Sequence, residues 1–291
     1  MQEVVKSRHH GGLCSLNLLL VAIMMSAGCA SYYGGGQRSH EASSVVEFLY
    51  PEIAEPLPQT TIPQLNLPLR VGIAFVPSAG ANRYGHVTVA ETHKAVLLEK
   101  VAAEFRELPF VESIEVVPSS YLRPGGGFGN LDQIKRLLSV DVIALVAYDQ
   151  IQFTNENLLS LTYWTIVGSY IFAGNQNDTE TLMEAAVYDI ASRSLLFRAP
   201  GSSSIEASST MVEVQGQLRD DASEGFNEAV DHLIPNLKSQ LADFQVRLKE
   251  QPEIAQITHK PGYSGSGFIE AWFAVALGLT GLFRIRQRLR C

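Results

Sequence analysis

The chain has 291 residues, 46% of them hydrophobic and 18% charged, with a net charge of −8. That length suits one large domain or two small ones, and the composition excludes a collagen, a wholly disordered chain and a many-span membrane protein. The three cysteines, Cys14, Cys29 and Cys291, lie near the ends, so nothing between Cys29 and Cys291 can form a disulfide or a thiolate metal site.

Residues 1–12 carry Lys6 and Arg8, Leu13–Met25 are almost wholly apolar, and Ser26, Ala27 and Gly28 are small. A basic start, a short apolar run and a small-residue exit predict a secretory signal over 1–28 rather than a spanning helix. The exit reads Ser26-Ala27-Gly28-Cys29, which resembles the bacterial lipobox, with Ser26 where leucine is usual. The resemblance implies cleavage between Gly28 and Cys29 by lipoprotein-processing enzymes, with acyl chains on the Cys29 sulfur and on the new amine. Cys14 follows Leu13, which is too large for the cleavage pocket. Two or three acyl chains, at ~0.8 kcal/mol per buried methylene, hold a protein stably to membrane lipid. This covalent lipid is the one prosthetic group expected, with no other cofactor and no metal.

Residues 29–68 hold Gly34-Gly35-Gly36 and five prolines and predict an extended tether. A single α/β domain is expected over 69–250. Val71–Val76 and Val140–Ala147 are continuous apolar runs, the pattern of strands buried on both faces, and Val111–Val117 alternates as a third strand. Between them, Glu91–Leu108 has apolar positions at 97, 101, 105 and 108, with Thr88 and Glu91 spaced as a capping box. Asn130 to Leu138 reads as a second helix, with Asn130 as its cap. This gives a β-α-β-α-β first half and a largely parallel sheet with right-handed crossovers. Leu161–Phe172, Leu182–Ile190 and Ser194–Ala199 read as further strands, the last two joined tightly through Ala191-Ser192-Arg193. A final helix carries Phe226, Val230, Leu233, Leu237, Leu241, Phe244 and Leu248 at spacings of three or four, with a kink expected at Pro235. The expected fold is therefore α/β with a mixed sheet, antiparallel strands after the parallel ones and a long C-terminal helix. The order resembles, at fold level, the domain of envelope lipoproteins of the curli-secretion and penicillin-binding-protein-activator types.

A linker over 251–267 contains Gly262-Tyr263-Ser264-Gly265-Ser266-Gly267, followed by the apolar run Phe268–Phe283 and a tail, 284–291, with Arg284, Arg286, Arg288 and Arg290. The apolar run predicts a transmembrane helix, and the arginines place the tail in the cytoplasm and the domain outside it. The ensemble resembles the GlyGly-CTERM sorting signal of Gram-negative bacteria, which is cut by rhombosortase, an intramembrane protease. Together with the lipobox, and with Val187-Tyr188-Asp189-Ile190 running into Leu195-Leu196-Phe197-Arg198, it resembles the rhombotarget lipoprotein family. The resemblance implies a processing route: export, acylation at Cys29, cutting within Ser264, Gly265, Ser266 and Gly267, and passage from the inner membrane to the outer membrane or cell surface. It implies no activity.

Candidate chemistry is sparse. Gly125-Gly126-Gly127-Phe128-Gly129-Asn130 follows a strand and opens a helix, but it lacks both the Gly-Lys-Ser/Thr ending and the G-x-G-x-x-G spacing of a phosphate loop. His86, Glu91 and His93 have no recognised ligand spacing. Gly262-Tyr263-Ser264-Gly265-Ser266 lacks the last glycine of a nucleophile elbow. Glu184 and Asp189 face opposite sides of a strand, and Asp141 and Asp149 lie at opposite ends of another. Setting aside the +1 of residues 1–28 and the +3 of residues 268–291 leaves −12 on 29–267, which repels phosphate backbones and argues against nucleic acid as a partner. The expectation is a non-enzymatic, lipid-anchored envelope module with an unidentified envelope protein as partner. Two alternatives stand beside it: an envelope hydrolase whose site is assembled from distant residues, and an oligomeric export scaffold.

Overall fold

A computed structural model describes residues 37–51, 61–78, 89–156, 175–210, 212–261 and 263. The signal sequence, Cys29, the expected strand Leu161–Phe172 and everything from Ser264 onward lie outside the described residues.

The apolar runs form the central strands β3 (Leu69–Phe75), β4 (Val111–Val116) and β5 (Val142–Glu156), with α2 (Glu91–Ala103) and α3 (Gly127–Leu138) as the crossovers. The order β4-β3-β5 is parallel, and β6 (Asn175–Asp189) and β7 (Ser194–Ser209) add antiparallel strands beyond β5. The β6–β7 connection is tight, as expected. Arg193 takes a left-handed φ of 61° there, and the Asp189 carboxylate accepts the Ser192 N–H at 2.8 Å.

Two apolar layers flank the sheet. On one face, α2 and the long helix α4 (Val214–Glu250) bury Leu97, Leu98, Val101, Phe226, Val230 and Leu233. Phe226 sits 5.1 Å from the Tyr148 ring and 6.1 Å from that of Phe75. On the other face, α3 contributes Phe128, Leu131 and Ile134. α4 runs unbroken through Pro235, which has no N–H to bond the carbonyl one turn back.

Three sequence expectations are corrected. The segment 29–68 is not wholly a tether. It supplies β1 (Gln37–Ala42), antiparallel to the outer half of β5, and α1 (Val45–Leu49), whose Phe48 and Leu49 are buried beside α3. It also supplies β2 (Gln64–Leu67), parallel to β8 (Gln256–His259) from the expected C-terminal linker. Secondly, β5, β6 and β7 run 15, 15 and 16 residues, well past the apolar stretches that identify them. The helix side of the extension is polar: Gln150, Gln152, Asn177, Thr179 and Thr181 are all buried. The amides of Gln150 and Gln152 each bridge from a threonine on β6 to an α4 carbonyl, Ala222 O at 3.0 Å and Leu218 O at 2.7 Å. These bonds satisfy groups that would otherwise cost about 1–3 kcal/mol each on burial.

Thirdly, the transmembrane helix expected at the C-terminus is not supported: among the described residues no helix is long and apolar enough to cross a membrane. The longest, α4, has the length but is charged along its exposed side, with Arg219, Asp220, Glu224, Glu228, Asp231 and Lys238. The run 268–283 lies outside the described residues. The fold is mixed α/β with a mixed sheet.

Two side chains of the polar seam are not fully compensated, since Asn177 Oδ1 and one oxygen of Asp221 are buried without a partner, and the carboxylate is the costlier. Asp221 is 4% exposed, and its Oδ2 has no hydrogen-bond partner, while Gln217 donates to Oδ1 at 2.7 Å. Burial pushes its pKa up, against the Gln217 bond that lowers it, with Asp220 raising it further. A raised carboxyl pKa gives a contribution to stability that is full below the ordinary value of 3.8 and is lost as pH rises through the folded value. Asp221→Asn keeps the Gln217 bond and removes the buried charge, so it is expected to stabilise the protein by about 1 kcal/mol at pH 7 and hardly at all near pH 3. Urea unfolding at the two pH values checks this; a loss of stability at pH 7 contradicts it.

Candidate functional site

In an open α/β sheet, ligands gather at the carboxyl ends of parallel strands where neighbouring crossovers leave on opposite faces. Here that point lies between β3 and β4, because the connection leaving β3 enters α2 on one face and the connection leaving β4 enters α3 on the other. The most developed group of interacting titratable side chains among the described residues sits at this end.

Lys94 is at its centre. It belongs to the first turn of α2, on the stripe that continues into Leu97, Leu98 and Val101, and its side chain is only 7% exposed. Its Nζ donates to Tyr148 Oη at 3.1 Å and lies 3.3 Å from Glu91 Oε1 and 3.9 Å from Glu41 Oε1. Tyr148, at the carboxyl end of the apolar part of β5, donates in turn to Glu41 Oε1 at 2.5 Å. Ser119, just past β4, donates to Glu91 Oε2. The α2 N-cap is Ala90, without a side-chain bond, so Glu91 serves this cluster rather than the expected capping box.

Tyr148 is held as the neutral phenol. Burial is the main cause of its raised pKa, and the hydrogen bond to Glu41 adds to it. Lys94 has its ammonium between two carboxylates and a phenol oxygen, and the base that Ser119 faces is a carboxylate already engaged by Lys94. This arrangement has the form of a clasp rather than of an activated nucleophile, which needs a base in reach and a third group orienting that base.

The clasp closes on the N-terminal segment. Glu41 is on β1, and the next residues lock to β5 as well. Ser43 N–H donates to Tyr148 O at 2.7 Å, Tyr148 N–H donates to Ser43 Oγ at 3.0 Å, and His40 Nε2 lies 2.7 Å from Asp149 Oδ1.

The residues singled out from sequence are dispersed. The Gly125–Asn130 loop is a structural turn: Gly125 and Gly127 take φ of 64° and 60°, and the buried Asn130 amide spans from Arg123 N–H to Tyr121 O. Asn130 thus staples the loop, and α3 begins three residues before it. Glu91 is in the clasp and His93 leaves Nε2 buried without a partner, while His86 lies outside the described residues. Among the described residues no cluster suits a metal ion. Glu184 pairs with Arg198 at 3.0 Å, Asp141 with Arg70 at 3.2 Å, and Asp189 holds the hairpin turn. Gly28, Cys29, Ser264, Gly265, Ser266, Gly267 and the four tail arginines lie outside the described residues.

Sequence reasoning missed Glu41, Lys94 and Tyr148. One signal was available: extending the apolar stripe of α2 back by three from Leu97 lands on Lys94. A depression of about 250 Å³ lies away from this cluster, between Ile62, Leu195, Leu196, Phe244 and Ile254, and carries no titratable side chain.

No family model and no curated protein matches the chain. Among solved structures it is similar to a single-substitution variant of the PelC dodecamer from Paraburkholderia phytofirmans, at 11% identity over 67% of this chain and 99% of that one, with a TM-score of 0.25. A likeness that slight carries no argument about activity or assembly.

Proposed function

We propose that the chain is an exported cell-envelope protein, acylated on Cys29, whose α/β domain is a binding or assembly module rather than an enzyme. The observation that carries this reading is the clasp. Lys94 and Tyr148 close on Glu41, in a strand that begins eight residues after Cys29. The charged groups best placed for chemistry are thereby engaged in seating the segment that leads to the lipid, and the domain is carried close to the membrane by a built-in strand. The reading includes C-terminal cutting within Ser264–Gly267 by a rhombosortase-type protease, which rests on the Gly/Ser motif. The location that follows is the outer membrane or the cell surface, with an envelope protein as partner.

Mass spectrometry of both termini of protein isolated from its native membranes tests the route. The expected result is an acylated Cys29 as first residue and a C-terminus within 262–267. An unmodified or uncleaved N-terminus contradicts the anchor, and a chain ending at Cys291 contradicts the processing. Cys29→Ala protein is expected to lose both acylation and membrane retention; acylation that persists in this variant contradicts the assignment.

A further inference from the structure

We infer that the domain binds a second copy of itself edge to edge, with β1 of one copy adding to the outer half of β7 of the next. The inference names the partner within the assembly-module reading and rests on that reading, though not on acylation of Cys29. Among the described residues β1 pairs only with β5 and β7 only with β6, so each has one open edge. Backbone groups of successive residues point to opposite sides of a strand, so single hydrogen bonds fix which residues face those edges. Ser43 N–H bonds Tyr148 O, so Glu41 and Ser39 also point towards β5, and Ala42, His40 and Arg38 point away from it. On β7, side chains of α4 mark the outward residues: Asn236 donates to Pro200 O at 2.8 Å and His232 to Ser202 O at 2.6 Å. These bonds, with a proline that has no N–H to offer, close that part of the edge. Ser204, Glu206 and Ser208 continue outward beyond it, exposed and without a neighbouring strand among the described residues.

The two edges match in direction, pleat and level. Each neighbouring pair across β1, β5, β6 and β7 is antiparallel, so β1 of a copy set beside β7 in the same orientation continues the alternation. Followed across the sheet, the register sets Arg38 level with Phe153, Asp178 and Glu206, and His40 level with Ile151, Glu180 and Ser204. With no shift along the strands, outward-facing Arg38 therefore meets outward-facing Glu206, and His40 meets Ser204, each as a hydrogen-bonded pair. Charge selects the same partner. The body 29–267 carries −12, so copies repel unless the contact brings opposite charges together. Asp178 and Glu206 are directly opposite each other, a destabilising like-charge pair. Neither carboxylate has an ion pair or a hydrogen bond among the described residues. β1 brings an arginine to that level, whereas β7 against a second β7 would bring more carboxylates. The contact is heterologous: each copy offers β1 to one neighbour and β7 to the other, so the assembly grows past a dimer.

The test uses the full chain purified in detergent from native membranes, with Cys291→Ser. Arg38→Cys and Glu206→Cys are made singly and together. Within one copy the two positions are three strand spacings apart, about 14 Å, too far for a disulfide, whereas across the contact their Cα atoms lie about 5.5 Å apart, within reach. Mild oxidation of the double variant is expected to give a reducible ladder of dimers, trimers and larger species, at least about fivefold more abundant than from either single variant, since only the double variant has both halves of the bridge. No ladder, or as much dimer from Arg38→Cys alone, overturns the contact. Native mass spectrometry supplies the second measurement: the parent is expected to be oligomeric, Glu206→Arg to dissociate it, and Glu206→Arg with Arg38→Glu to restore it. A monomeric parent, or a double reversal that does not reassemble, overturns the inference. A monomer whose termini are an acylated Cys29 and a residue within 262–267 overturns self-assembly alone, whereas unprocessed termini count against the envelope reading, so the two failures are told apart.

Discussion

Lys94→Met is expected to lower stability by about 2–3 kcal/mol. Removing one partner of a fully buried ion pair costs about 3–5 kcal/mol, and the value is reduced here because Glu91 is 60% exposed and can rehydrate. Glu41, at 15% exposure, and the Tyr148 hydroxyl have less freedom to do so. The substitution is expected to act through β1, so it should couple to Glu41→Gln: the double variant loses less than the sum of the singles by about 1 kcal/mol, against the few tenths expected of independent sites. Urea unfolding of the four proteins measures the cycle, and strict additivity contradicts the clasp. The pH dependence has a defined sign. The Tyr148 phenol is raised above its ordinary value of 10.0, so its contribution is intact through neutral pH and is lost as pH rises beyond that value. Tyr148→Phe should flatten the alkaline limb of a stability–pH curve.

Gly201→Val should be still more damaging. A Cβ at this position would meet Ala229 O at 2.2 Å and Leu233 N at 2.8 Å, so the backbone of α4 lies directly on β7 there. Neither atom is the mobile end of a side chain, and the helix would have to lift off the sheet along the layer that buries Phe226, Val230 and Leu233. The expected cost is about 3 kcal/mol or more, at or above the upper end for overpacking, read as a fall in the urea midpoint or as failure to fold. Gly216→Ala is the matched control. It lies in the first turn of the same helix with no atom within 4 Å of the added methyl, and it should stabilise by roughly 0.5 kcal/mol through helix propensity. A Gly201 variant as stable as the parent would mean that α4 does not sit on β7 at this distance.

The parallel strands, their crossovers and the β6–β7 hairpin were legible because their signals are local: apolar runs, three-and-four spacing and a turn bounded by strands. β1 was not, since Gln-Arg-Ser-His-Glu-Ala has no apolar residue larger than alanine and is held by a backbone ladder and by side chains over a hundred positions away. The outer halves of β5 and β6 were hidden for a related reason. Gln150, Gln152, Asn177, Thr179 and Thr181 are buried but polar, and their partners are carbonyls of a distant helix that no pattern in the strand announces. The first turns of α4 carry Ala222 and Gly225 on the buried side, where a periodicity search looks for large side chains. Gly225 is there because a Cβ would come within 2.6 Å of Thr181 Oγ1. The candidate site was missed because it joins α2, β5 and the segment expected to be a tether.

The central claim is that the segment leading to Cys29 is an integral strand rather than a loose leash, and hydrogen exchange of the intact protein on its native membrane tests it most directly. The amides of Ser39–Ala42 and of Ser43, which donates to Tyr148 O, are expected to contain a set protected on the timescale of their β5 partners. Exchange of that whole stretch within seconds, with β5 still protected at Val142–Tyr148, would contradict the account.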